Sequence, residues 1–70
     1  MSKKTYYVLD DLENRGVIVR AEERSQQRYI PDRGWVESGI LMKYFNDESP
    51  TYNLYNIVSE DEALELINNM

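Results

Sequence analysis

A chain of 70 residues has room for one hydrophobic core, and with neither cysteine nor histidine it offers no disulfide, no thiolate zinc site and no near-neutral proton carrier. Thirteen acidic against eight basic residues leave a net charge of −5, which opposes nonspecific attraction to nucleic acid or to an anionic membrane. At 41% hydrophobic and 30% charged the composition is globular, and no apolar run reaches the length of a signal peptide or a membrane span, so the chain reads as soluble and cytoplasmic.

Residues 4–10, KTYYVLD, concentrate β-branched and aromatic side chains and predict a first strand. DDLENRG at 10–16 supplies turn residues and ends at Gly16. VIVRAEE at 17–23 sets Val17, Val19 and Ala21 on one face against Ile18 and Arg20, a second strand paired with the first as a hairpin. SQQRYI at 25–30 alternates Gln27 and Tyr29 with Arg28 and Ile30, then stops at Pro31, which has no N–H to give a ladder. PDRG has the composition of a type I turn with Pro31 at its second position, and Trp35 and Val36 resume the apolar pattern beyond it.

SGILMKYFNDESP at 38–50 fits two periods. A helix gathers Ile40, Leu41, Tyr44 and Phe45 on one face, whereas a strand opposes Ile40, Met42 and Tyr44 to Leu41, Lys43 and Phe45. Gly39 in what would be the first helical turn, with the adjacent aromatic pair, tips the expectation to strand. NDESP is a loop by composition, and TYNLYNIV at 51–58 alternates as the last strand. In VSEDEALELINNM every local rule agrees on a helix. Ser59 and Glu62 form a capping box, Val58 and Ala63 a hydrophobic staple, and Glu60, Asp61 and Glu62 suit the positive end of the helix dipole. Ala63, Leu66, Ile67 and Met70 repeat at helical spacing, while the absence of a basic residue from the last turn leaves the end prone to fraying. The expected architecture is one α+β domain over residues 1–70: a small antiparallel sheet of three to five strands, meander-like, with a C-terminal helix packed on one face.

The residue inventory argues against an enzyme. A nucleophile needs a base beside it, and there are three lysines and no His or Cys. The glycines are too scattered for a phosphate loop, and no cofactor or metal is implied. Capping and dipole complementarity account for Glu60, Asp61, Glu62 and Glu65 better than a cation site does. Arg15, Arg20, Arg24, Arg28 and Arg33 make the middle of the chain locally basic, but Glu22, Glu23, Asp32 and Glu37 are interleaved, so cross-strand ion pairs are the expected role.

Six tyrosines, one tryptophan and one phenylalanine exceed what so short a chain can wholly enclose. Such rings either finish a thin core or form a contact surface. RYIPDRGW at 28–35 adds a rigid turn bearing two arginines and two aromatic residues, so Tyr6, Tyr29, Arg33 and Trp35 are the candidate partner-binding residues, with Trp35 alternatively a core plug beneath the helix. The functional expectation is a small intracellular, non-enzymatic module that binds a protein partner or itself, as a homodimer, using an exposed edge strand. Two alternatives accompany it: single-stranded nucleic acid on the sheet face, and a phage- or plasmid-borne accessory protein that inhibits a host factor.

Overall fold

The computed structural model describes residues 4–69. Five strands form one antiparallel sheet: β1 (Thr5–Leu9), β2 (Ile18–Glu22), β3 (Ser25–Ile30), β4 (Gly34–Glu37) and β5 (Tyr55–Val58). Two helices join them, α1 (Met42–Phe45) and α2 (Glu60–Asn68). The first four strands run as a meander, and β5 returns to the open side of β1, giving the order β4-β3-β2-β1-β5. This is the α+β sheet with a C-terminal helix that the alternating segments and the capping signals imply. No helix among the described residues is long and apolar enough to cross a membrane.

The central strands are apolar on both sides, and both sides are covered. On one face Tyr6, Ile18 and Ala63 are buried together, with Val8, Val58 and Ile67 packed around them beneath α2. On the other face Leu9, Val19, Leu41 and Tyr44 form a second buried cluster, flanked by Tyr7, Val17, Ala21, Ile40 and Tyr55. The consecutive apolar residues of YYVL and VIV are the sequence trace of this arrangement, since a strand covered on two faces loses the polar half of its alternation.

The cover of the second face corrects the expected strand at residues 38–46. Residues 42–45 are helical because Leu41 and Tyr44 must reach the sheet together. Side chains three apart point to opposite faces of a strand but to the same face of a helix. Ser38 does not cap this helix; its hydroxyl instead accepts from the Ile40 N–H at 3.3 Å.

Two further boundaries move. The last strand starts at Tyr55 rather than near residue 51, because Asn53 adopts φ +63° and gives its N–H to the Tyr44 carbonyl at 3.1 Å. The β3–β4 connection is a type II turn rather than type I: Arg33 N–H bonds the Ile30 carbonyl at 3.0 Å, and Asp32 at φ +77° occupies the position where that turn requires positive φ. Met70, the last member of the expected helix stripe, lies outside the described residues.

Candidate functional site

Three of the four residues singled out in the sequence meet on the α2 side of the sheet. The Tyr6 ring lies edge-on to Trp35 at 6.1 Å, and Trp35 meets Tyr29 in the same way at 5.4 Å. The register explains this: Tyr6 stands opposite Arg20, Arg20 opposite Gln27, and Tyr29 opposite Trp35. Tyr6 is only 5% exposed, so it supports its neighbours and does not itself offer a contact surface. Its hydroxyl donates to Glu60 Oε2 at 3.0 Å, pinning the start of α2 over β1. Burial, and then the bond to Glu60, push the Tyr6 pKa up. Because α2 packs over β1, Tyr29 and Trp35 further along the sheet remain half-buried. Arg33 is exposed at the tip of the β3–β4 turn, away from this layer.

The arginines depart from expectation. The Arg20 guanidinium stacks 4.3 Å from the centre of the Trp35 ring, and its Nε donates to Gln27 Oε1 at 2.6 Å. Arg28 points to the opposite face between Val19 and Val36, and its Nε is buried with no hydrogen-bond partner. Among the described residues the ion pair formed is Arg15 with Asp10 at 3.6 Å, both side chains well exposed. The register sets the sheet arginines opposite glutamine and valine rather than glutamate, so no cross-strand ion pair forms there.

On the α1 side Tyr7, Phe45 and Tyr55 form a closed triad, each ring edge-on to the other two at 5.4 to 5.8 Å. Burial raises the Tyr7 pKa, with the neighbouring Tyr55 hydroxyl adding to it. Beside the triad Ile57 is 66% exposed, and Phe45 of the triad is itself exposed. This apolar surface borders β5, an outer strand of the sheet.

The main-chain groups of β5 divide cleanly. Asp10 N–H bonds the Leu54 carbonyl at 2.8 Å, which makes residues 10 and 54 a hydrogen-bonded pair. In an antiparallel ladder bonded and non-bonded pairs alternate. Asn56 opposite Val8 and Val58 opposite Tyr6 are therefore the bonded residues, and Tyr55 and Ile57 direct their N–H and C=O groups away from the sheet. The strand carries neither charge nor proline, two of the devices that commonly block an edge. The opposite edge, β4, ends in Glu37 and follows the Pro31 turn. The signal for β5 lay in YNIV, a short uncharged run whose edge position is a property of the sheet order and not of the segment.

One polar group is buried outright. Asp11 accepts from the Tyr44 hydroxyl in a short hydrogen bond, and Asn14 Nδ2 donates to Asp11 Oδ2 at 3.4 Å and to Tyr44 Oη at 3.2 Å. The Tyr44 bond holds the Asp11 carboxyl below its usual range, while burial and that carboxylate push Tyr44 up to about 12. A carboxylate held ionised and already bonded is a poor proton carrier, so this group ties the β1–β2 loop to α1. No three acidic side chains among the described residues converge to hold a metal ion. Comparison with family models, with curated proteins and with solved structures finds no match.

Proposed function

We propose that this chain is a small, non-enzymatic binding module whose docking element is the outer strand β5. The observation that carries the reading is the coincidence, on one strand, of outward main-chain donors and acceptors at Tyr55 and Ile57 with the exposed apolar surface of Ile57 beside Phe45. Strand addition uses both parts, the backbone groups for affinity and the alternate side chains for selectivity. Tyr29 and Trp35 lie on β3 and β4, at the end of the sheet opposite β5, where Trp35 is already engaged by Arg20 and Tyr6.

The test compares wild type with Ile57→Lys, which places charge on the edge without touching a buried residue. Light scattering on each protein and pull-downs from cell lysate should show wild-type associations that fall at least about five-fold in the variant, corresponding to about 1 kcal/mol. Associations that survive the substitution unchanged, or the lack of any with wild type, would overturn the reading.

A further inference from the structure

We infer that the strand received by β5 is β5 of a second copy, paired antiparallel about a two-fold axis at Asn56; this rests on the reading of β5 as the docking strand. An antiparallel partner must bring its own outward groups to meet those of Tyr55 and Ile57. A second copy brings the same two residues. Tyr55 of each copy then bonds with Ile57 of the other, giving about four N–H···O bonds across the axis.

The side chains choose this register over its neighbours. Around Asn56 the order Leu54, Tyr55, Asn56, Ile57, Val58 reads apolar, apolar, polar, apolar, apolar in both directions. The axis at Asn56 sets Leu54 against Val58 on the α2 side and Tyr55 against Ile57 on the α1 side, with the two Asn56 amides facing each other. Aromatic and β-branched side chains are a favourable cross-strand pair. Moving the axis to Ile57 places Leu54 against Glu60 and Asn56 against Val58, and moving it to Tyr55 places Ile57 against Asn53. Both alternatives oppose polar to apolar side chains. A foreign strand has no reason to share this symmetry, whereas a second copy has it by identity.

The net charge of −5 per copy does not forbid the pairing. Residues 51–59 carry no charge. The acidic clusters at the starts of the two α2 helices would lie at opposite ends of the joint, with Glu60 opposite Tyr52. Eight residues at about 3.4 Å each separate the two Glu60 positions by roughly 27 Å, beyond the ~8 Å screening length of physiological salt. An edge of four residues gives an interface at the low end of the size range, so a dissociation constant of about 10–100 µM is expected.

The chain lacks cysteine, so single replacements report on geometry without background. Directly opposed non-bonded residues have Cα atoms about 4.5 Å apart, within disulfide reach. Under mild oxidation at about 50 µM, near the expected dissociation constant, Asn56→Cys should form a covalent dimer at least ten-fold faster than Ser25→Cys. Ser25 is exposed and lies on β3, three strands away from β5, so it sets the collisional rate. Ile57→Cys should stay near that rate, and by sedimentation equilibrium the mass of unmodified wild type should rise from 8.3 kDa toward twice that value as concentration increases. An Asn56→Cys rate no faster than the Ser25→Cys rate overturns the self-pairing, and Ile57→Cys linking fastest overturns the register. Neither result touches the Ile57→Lys comparison, which decides the docking reading separately.

Discussion

Tyr44 and Asp11 lie 33 residues apart in sequence and share a buried hydrogen bond that neither residue announces. In the sequence Asp11 reads as a turn former and Tyr44 as one aromatic among several; their contact exists because the segment after β4 folds back over the sheet. Removing the hydroxyl with Tyr44→Phe leaves the carboxylate with Asn14 alone and should cost roughly 2 kcal/mol, about 10 °C in Tm. The pH dependence follows from the two shifts. Asp11 is lowered from 3.8 in the fold, so its contribution is present above that value and is lost as pH falls through the folded pKa. Tyr44 is raised from 10.0 to about 12, so its contribution is present below pH 10 and is lost as pH rises through about 12. The stability gap between wild type and Tyr44→Phe should therefore be widest from about pH 4 to pH 10 and close on both sides, as measured by denaturant titration across pH. Tyr6 and Tyr7 are raised as well, so wild type and variant share part of the alkaline loss.

Among the elements, α2 was the most legible because its signals are local. Glu62 N–H donates to Ser59 Oγ at 3.1 Å and Ser59 N–H to Glu62 Oε1 at 3.4 Å, the reciprocal bonds that Ser59 and Glu62 imply three residues apart. The sequence did not reveal that Glu60 also accepts from Tyr6, which gives the acidic first turn a tertiary as well as a dipole role. Ser59→Ala should cost about 1 kcal/mol and speed exchange of the first α2 amides about five-fold, with the sheet amides unaffected. The stripe was legible in part: Ala63 and Ile67 pack on the sheet, but Leu66 stays exposed. α1 was illegible. It has four residues and no side-chain cap, and only the sheet beneath it decides between the two periods of its sequence. The β2–β3 hairpin turn was silent too, since Glu23 takes φ +50° at a position where glycine or asparagine is the usual signal.

For the whole molecule the decisive feature is a sheet only five short strands wide that is covered on both faces. Leu9 is 1% exposed at the centre of the α1-side cluster. Leu9→Ala should cost about 3 kcal/mol, a large part of the stability of a domain this size. Chemical denaturation at 25 °C should show the midpoint falling by half or more, with loss of near-UV signal from the aromatic clusters. A similar loss is expected from α1-side substitutions such as Leu41→Ala, which a sheet covered on one face alone would tolerate. What the amino-acid sequence determined by itself was everything carried by neighbours in the chain: the strand character of β1, β2 and β3, the cap and staple of α2, and the lack of cysteine and histidine. Which aromatic residues are enclosed, which arginines find partners, what covers the second face and which strand is left outermost were decided only when the chain closed on itself. Each of those depends on contacts between distant segments, and single-chain periodicity does not encode strand order.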